Sequence, residues 1–464
     1  MERLFKKISQ TLFLFLAFGL TRSSAQDNDV EFVVKTIKES YAGYHDKVTN
    51  KEFDSFVKRQ INDRDTFKLL SAIANYFEDQ HLKIFRYNTR KYDTILGQKN
   101  IKMISAYFSN RNIKDKREGY WVNDYNNCVI ALKKVKNNPV AYKAYIVESR
   151  KDAIPIGTIY ADFICLKGDK FLTDFMTPKG GFSYYLISEF KNDTTFTSAP
   201  SSKWRKLINY KGSAMQSLPE YNYSVTATLL DKDNYLITIP GSTEQNTKIL
   251  DSIVKDQYQI ISSTKNLIID IRNNLGGTVR TYAPLFPFIY TNPIQKISGY
   301  LYYSKAMMNA EQLELNEYRG MESIDTALIK QKENSIARIS GNIGRVLYDG
   351  GTIVKLDSTK KYPQNVAVIA NYACYSASEM MILDFKQSKK VTLFGERTFG
   401  AVDYLDDFSI DLPSKKYVLD IASFKRAIPK GGTRLDGIGI IPDVPIPDGD
   451  SDWVEFVRNY YKKK

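Results

Sequence analysis

Ser376 is the residue of this sequence best placed to act as a nucleophile. It follows a short apolar, β-branched run at 366–370 that predicts a buried strand, and it opens an apolar segment with helical spacing. Ser376 therefore falls where a strand turns into a helix. The first N–H groups of a helix have no intrahelical partner and carry partial positive charge, so an oxygen held beside them is stabilised as an anion. This placement suits acyl-transfer chemistry.

The same residues also permit a purely structural interpretation. Ser376 and Glu379 form the Ser-x-x-Glu pattern of a capping box, in which the serine only caps the helix and the glutamate reaches back to the helix start. On these four residues alone capping is the favoured interpretation. The wider sequence has to decide between the two.

Three further segments carry the rest of the pattern: LIIDIRNNLGG at 267–277, GERTFG at 395–400 and GIGIIPDV at 437–444. Together with Ser-Ala-Ser-Glu at 376–379 they resemble, in order, motifs of the C-terminal-processing (tail-specific) and tricorn-type serine peptidases. The resemblance covers roughly 235–447, with a weaker match near His81. It implies an α/β catalytic domain of the crotonase/ClpP-like ββα type, a polypeptide substrate, and no metal or cofactor.

A backbone oxyanion hole follows from the same resemblance. Gly276 or Gly277 supplies one donor, and Ala377, next to the nucleophile, supplies the other. Glycines let backbone N–H groups approach a ligand closely, although Asn-Asn-Leu-Gly-Gly alone is equally consistent with an ordinary turn. Losing one such donor costs roughly 3 kcal/mol of transition-state stabilisation in other hydrolases.

The base that activates the serine decides the mechanism, because a serine hydroxyl alone is a weak nucleophile. In the C-terminal-processing branch the base is a lysine directly after the Thr-x-Gly turn, and that position here is Ala401. The tricorn branch uses a histidine from an N-terminal helix-loop, oriented by an acid before the final Gly-x-x-Pro-Asp segment. His81 and Asp436 resemble these two residues. The predicted catalytic residues are therefore Ser376, His81 and Asp436.

The sequence departs from the tricorn pattern at two places. Asp436 stands where that branch has a glutamate, and Gln80 stands where it has a serine. His81 as a helix-end cap and Asp436 as a turn residue before glycine are the structural alternatives. These alternatives and Ala401 leave a second function open, a catalytically silent protein that binds envelope peptides in the same groove.

The elements that position these residues are predicted from hydrophobic period. Residues 26–100 read as an N-terminal helical segment that carries His81 on a loop before an alternating strand at 82–87. Residues 101–217, rich in Tyr, Val, Ile and Thr, predict a β-rich, barrel-like domain of unknown role. Residues 218–450 form the catalytic domain, and 451–464 form a C-terminal tail.

The first 25 residues have the pattern of a secretory signal peptide. Arg3, Lys6 and Lys7 precede an apolar core at 11–20 and small residues at 23–25. The core is too short for a comfortable membrane span, although an N-terminal anchor is the alternative. We expect a periplasmic or secreted protein with no integral membrane segment after removal of the signal.

Composition narrows the choice of partners. The 464 residues are 43% apolar and 25% charged, a globular profile long enough for two or three domains. The formal charge is +14, and removal of a leader with four Lys/Arg and one Glu leaves 14 − 3 = +11. The lysines are scattered among acids, which indicates a solvated surface and no nucleic-acid partner. The oligomeric state is not predicted.

The three cysteines, Cys128, Cys165 and Cys374, cannot all pair within one chain. A bridge between Cys128 and Cys165 stays open in an oxidising compartment, and the spacing matches no metal site. Cys374, two residues before Ser376, is interpreted as small turn packing rather than as a nucleophile.

The choice of base predicts a pH profile. With His81 as the base, hydrolysis at low substrate concentration rises with pH as the imidazole loses its proton, because only a neutral ring accepts the serine proton. His81→Ala loses several orders of magnitude of rate, and adding Ala401→Lys does not restore it. Initial rates across a pH series measure both effects. Near-normal turnover of His81→Ala would show that a lysine supplies the base.

Overall fold

The computed structural model describes residues 24–61, 63, 65–87, 94–109, 113–123, 125, 127–137, 140–150, 155–176, 182–198, 202–321, 326–447 and 452–463. All but the last two residues of the predicted signal peptide, 1–25, lie outside these ranges. Among the described residues, no helix combines the length and the apolar character needed to cross a bilayer.

Thirteen α-helices are present in the described ranges: α1 Ser24–Ser40, α2 Tyr44–Lys47, α3 Asn50–Gln60, α4 Thr66–Asn75, α5 Thr94–Ser109, α6 Ala214–Ser217, α7 Glu244–Asp256, α8 Tyr258–Ser263, α9 Phe286–Ile289, α10 Lys305–Arg319, α11 Thr326–Ser340, α12 Ala377–Phe385 and α13 Trp453–Lys462. A 3-10 helix at Val279–Leu285 precedes α9.

The strands of the described ranges are β1 Lys83–Tyr87, β2 Gly119–Asn123, β3 Cys128–Asn137, β4 Val140–Ser149, β5 Ile159–Lys167, β6 Lys170–Met176, β7 Phe182–Phe190, β8 Thr195–Ser198, β9 Ser202–Lys206, β10 Thr226–Asp231, β11 Asn234–Thr238, β12 Asn266–Asp270, β13 Ile294–Gln295, β14 Gly299–Tyr302, β15 Val346–Asp349, β16 Ile353–Val354, β17 Asn365–Ala370, β18 Val391–Gly395, β19 Tyr404–Asp411, β20 Tyr417–Arg426 and β21 Val444–Pro445.

The N-terminal helices are stabilised by capping side chains at their first residues and by burial of their apolar faces. Thr49 and Glu52 make a capping box at the start of α3, and Asp65 caps α4. The apolar face of α4 is buried together with side chains of α1, β19 and β20 in one core. This packing fixes the end of α4, and His81 follows it on the loop that leads into β1.

The β-rich region closes into an eight-stranded barrel. Its strands pair in the order β7-β6-β5-β4-β3-β2-β9-β8, and β8 pairs back with β7. The interior is filled by large aromatic and aliphatic side chains, among them Trp121, Phe163, Phe171, Phe196 and Trp204. The barrel is therefore a packed core rather than an open lumen.

A six-stranded sheet carries the turn that contains Ser376. Its order is β10-β11-β12-β17-β18-β21, and all neighbours are parallel except β10 and β11. The strands β12 and β17 are almost wholly buried because helices cover both faces of the sheet. Side chains of α7 and α12 pack on one face, and side chains of α13 pack on the other.

The strand β1 joins the separate parts. It pairs antiparallel with β20 on one side and with β7 of the barrel on the other. His81, two residues before β1, is therefore held between the N-terminal helices, the barrel and the catalytic part of the chain.

From the packing of helix α13 on the sheet we predict that a C-terminal side chain contributes to the stability of the fold. Val457 is fully buried against the sheet with Phe394 and Ile268. We expect Val457→Ala to lower the free energy of unfolding by about 1–2 kcal/mol, because it empties a packed site. Asn459→Ala, at an exposed position of the same helix, is the matched control. Equal thermal midpoints for the two variants would show that this helix does not contribute to the core.

Candidate active site

Ser376 lies at the sharp turn between β17 and α12. Its backbone angles are φ +59° and ψ −124°, a conformation that costs a non-glycine residue energy. Strained strand-to-helix turns of this kind present the serine of other hydrolases at the edge of a sheet. The structure therefore has the predicted strand-turn-helix, with a strained residue at the turn.

The buried carboxylate of Glu379 holds this turn in place. Its oxygens accept the backbone N–H groups of Ser376 at 3.3 Å, Gly400 at 2.9 Å and Ala401 at 2.8 Å, and also the hydroxyl of Thr398. Burial raises the pKa of Glu379 to about 7, and the four donors oppose that rise. Glu379 thus does more than cap the helix, because it ties the nucleophile turn to the 398–401 loop.

His81 is brought to Ser376 from 295 residues away in the sequence. Its Nε2 lies 3.2 Å from Oγ of Ser376. The ring is 6% exposed, and its Nδ1 is buried with no hydrogen-bond partner among the described residues. The backbone N–H of His81 donates to Oδ1 of Asp79 at 2.8 Å. The other histidine, His45, is exposed and packs its ring against Tyr44.

Asp436 lies in the same region but does not contact the ring through a hydrogen bond. Its Oδ1 accepts the backbone N–H groups of Val402 at 3.0 Å and Asp403 at 2.9 Å. Its Oδ2 lies 4.0 Å from Nζ of Lys47. Burial, and then the neighbouring carboxylate of Asp79, raise the pKa of Asp436 to about 7. The structure therefore brings Ser376 and His81 together, whereas the carboxylate of Asp436 is bound to the backbone of the 402–403 segment instead of the imidazole.

The glycine turn at 274–277 faces the nucleophile. A Cβ added to Gly276, which has φ +86°, would come within 2.9 Å of Cβ of Ser376 and 3.0 Å of the nitrogen of Ala377. The N–H of Gly276 donates to Oδ1 of Asn274 at 2.9 Å. Within the described ranges, the N–H of Gly277 has no hydrogen-bond partner. Asn274, which sequence reasoning read only as part of a turn, therefore engages one of the two glycine donors.

No lysine occupies the position of a serine–lysine dyad. Ala401 is 2% exposed, and its N–H is held by Glu379. Arg397 donates to the carbonyl of Ile438, and Lys389 is exposed. Asp443 accepts the N–H of Leu393 and pairs with Lys386.

The cysteines are all free. Cys128 is buried and Cys165 is exposed, so the bridge left open by the sequence is absent from the structure. Cys374 is buried with its Sγ 3.0 Å from the carbonyl of Ile271, and burial raises its pKa to about 12. A thiol of that kind is a poor nucleophile, which favours the packing role predicted for Cys374.

Residues 235–446 match the model of peptidase family S41. This segment, somewhat less than half of the chain, resembles peptidase family S41, and the match indicates a serine-type peptidase. The matched segment contains the nucleophile turn, the glycine turn and the 437–444 motif, whereas His81 lies outside it. A comparison with curated proteins gave no match.

Solved structures resemble the chain at low identity. Mature CPAF complexed with lactacystin is 12% identical, with 95% of this chain and 98% of that chain covered and a TM-score of 0.47. The photosystem II D1 C-terminal processing protease is 13% identical over 92% and 94% of the two chains, with a TM-score of 0.39. The tricorn protease is 12% identical over 95% and 37%, with a TM-score of 0.38. The functional class is therefore inferred from the family match over 235–446 and not from these structures.

From the hydrogen bonds of the buried Glu379 carboxylate we predict an effect of pH on stability. We expect Glu379→Gln to lower both turnover and stability, because an amide NH₂ would face N–H donors that now meet a carboxylate oxygen. The pKa of Glu379 is raised from its usual value near 4.5 to about 7, so the folded wild type binds more protons than the unfolded chain in that window. Its stability therefore falls as pH rises from about 4.5 to 7. The gap between wild type and variant should narrow over the same window.

Thermal midpoints of the two proteins across that pH window measure the gap. Glu220→Gln, at an exposed glutamate, is the control that should show no gap. A constant gap at every pH would mean that Glu379 does not titrate between these values.

Proposed function

We propose that the chain is an exported peptidase that hydrolyses peptide bonds of polypeptides or of protein C-termini, with Ser376 as nucleophile and His81 as base. The observation that supports this most strongly is the 3.2 Å separation of His81 Nε2 and Ser376 Oγ at a strained turn. A base within hydrogen-bond reach of the nucleophile is the first geometric requirement of covalent catalysis.

The proposed reaction has two halves. Ser376 attacks the substrate carbonyl while His81 takes the hydroxyl proton, and the imidazolium then gives that proton to the leaving amine. Water then enters, and His81 removes its proton as the water oxygen attacks the acyl carbon. The bond between that carbon and Oγ of Ser376 breaks, the imidazolium returns the proton to Oγ, and the new carboxyl terminus leaves. The half-buried position of Ser376 leaves its hydroxyl accessible to a polypeptide.

The oxyanion hole of this proposal uses Ala377 and the glycine turn. The N–H of Ala377 is at the first position of α12, where it has no intrahelical acceptor. Of the two glycines predicted as the second donor, Gly276 has its N–H already engaged by Asn274. We infer that Gly277 supplies the second N–H and that Gly276 provides the space beside Ser376.

Asp436 remains part of the proposed site as a second carboxylate, in addition to Asp79. The negative charge of Asp79, whose Oδ1 is 3.9 Å from Nδ1 of His81, helps to raise the pKa of Asp436. Asp436 itself makes no hydrogen bond to the imidazole.

The proposed domain organisation follows the predicted boundaries. Residues 218–450 would form a crotonase/ClpP-like ββα catalytic domain, supported by the parallel strands β11, β12, β17 and β18 with helices between them. Residues 26–100 would supply His81, and 101–217 would form the barrel domain. The 451–464 segment contains α13, which packs on the catalytic sheet. Export through the 1–25 signal would place the enzyme in the periplasm or outside the cell.

A fluorophosphonate probe tests the nucleophile. We expect the wild type to be labelled and Ser376→Ala to be unlabelled, because the probe reacts only with an activated serine. Ser378→Ala is the matched control, since its hydroxyl is 1% exposed and donates to carbonyls of Asn274 and Tyr375 at 2.9 Å. That variant should keep its labelling and lose about 1 kcal/mol of stability.

The outcomes are distinct. Labelling that depends on Ser378 and not on Ser376 would overturn the assignment of the nucleophile. A folded wild type that is never labelled would favour the silent peptide-binding protein.

A further inference from the structure

The Nδ1 atom of His81 lacks the partner that a general base requires. For Nε2 to accept the Ser376 proton, the ring proton must sit on Nδ1. That Nδ1 is buried and has no hydrogen-bond partner within the described ranges. A group that accepts the Nδ1 proton would fix the tautomer and stabilise the imidazolium that forms during catalysis.

We propose that Asp79 is this positioning residue, holding the tautomer and the orientation of His81, and the proposal rests on His81 being the base. Oδ1 of Asp79 lies 3.9 Å from Nδ1 of His81. Catalytic hydrogen bonds are often long before substrate binds and shorten in the substrate complex, so the 3.9 Å separation is compatible with this role.

The carboxylate of Asp79 is itself rigidly held. Its side chain is fully buried, and its Oδ1 accepts the backbone N–H of His81 at 2.8 Å. Oδ2 accepts the hydroxyl of Tyr41 at 2.5 Å, and Tyr41 is anchored in the core of the N-terminal helices. Asp79 is therefore fixed relative to the backbone of the base that it would orient.

The predicted orienting acid, Asp436, is bound to other groups. One of its oxygens holds the N–H groups of Val402 and Asp403, and the N–H of Asp436 is held in turn by Asp403. Its other oxygen faces Lys47 at 4.0 Å. These hydrogen bonds between Asp436 and Asp403 fix the turn before Gly437. Among the described contacts, Asp79 is therefore the carboxylate nearest to Nδ1 of His81.

Several titratable groups surround the Asp79–His81 pair. Burial and the Asp79 charge raise the pKa of Asp436 to about 7, so Asp436 holds its proton over a wider pH range than an ordinary aspartate. Tyr41 and Lys83 interact electrostatically with Asp79, and Asp406 interacts with His81. Tyr404 and Lys47 lie on the Asp436 side.

The test compares Asp79→Asn with Asp436→Asn in the full chain. We measure the rate constant of fluorophosphonate labelling, and the kcat and KM for dye-labelled casein, across a pH series. An amide keeps the size of the side chain but cannot stabilise an imidazolium, and in a related triad such a change lowers kcat by about 10⁴-fold. We expect Asp79→Asn to lose at least about 10²-fold in kcat with little change in KM, and Asp436→Asn to lose less than about tenfold.

The pH profile separates positioning from mere structural damage. In Asp79→Asn the acidic limb of the profile should move to lower pH, because the protonated ring is no longer stabilised by a charge. A variant that is only partly unfolded would lose amplitude without moving the limb. Tyr41→Phe keeps the ring and removes a single hydrogen bond to Asp79, so it should give an intermediate loss even if Asp79→Asn folds poorly.

Two results would overturn the proposal. One is that Asp79→Asn or Tyr41→Phe is as active as the wild type while His81→Ala is inactive. His81 would then be the base, but Asp79 would not be the residue that positions it. The other is a loss in Asp436→Asn that equals or exceeds the loss in Asp79→Asn. An active His81→Ala would instead remove the proposed base itself.

Discussion

The geometry of the nucleophile depends on one buried carboxylate. Glu379 collects the N–H of Ser376, the hydroxyl of Thr398 and the N–H groups of Gly400 and Ala401. A serine with a positive φ persists only when its surroundings hold it there, and these four bonds supply that constraint. Oγ of Thr398 also accepts the N–H of Ile440 at 2.7 Å, which extends the same network to the 437–444 motif. Separate sequence motifs thus become one rigid unit around the reacting hydroxyl.

The glycines of those motifs are needed because the loops touch through their backbones. A Cβ at Gly400 would lie 2.3 Å from the carbonyl oxygen of Leu435, and one at Gly439 would lie 2.0 Å from that of Thr398. At Gly277 it would meet the carbonyl oxygen of Ser242 at 2.1 Å. No side chain fits at such distances, and each of these residues also has a positive φ. Glycine is therefore found at the positions where the backbone of one loop packs directly against the backbone of another.

The sequence could predict the local part of this arrangement and not the long-range part. An apolar β-branched run followed by Ser376 and a helical pattern gave the strand-turn-helix, because both periods are local. The approach of His81 to Ser376 was accessible only through family resemblance, since no spacing rule links residues 295 positions apart. The closure of the barrel depends on the pairing of β7 with β8 as well as with β6, which alternation within a strand does not reveal. The contact between the carboxylate of Asp79 and the backbone N–H of His81 forms only once the chain turns there, which hydrophobic period does not reveal.

The central claim is that a peptide carbonyl bound at Ser376 places its oxygen between Ala377 and the glycine turn, with His81 on the other side. A crystal structure of the protein covalently modified by a peptidyl phosphonate measures this directly. The account predicts phosphorus bonded to Oγ of Ser376, a phosphonyl oxygen about 2.7–3.1 Å from the nitrogens of Ala377 and Gly277, and the imidazole of His81 beside Oγ. A phosphonyl oxygen that points to solvent, or an adduct on any other residue, would contradict it.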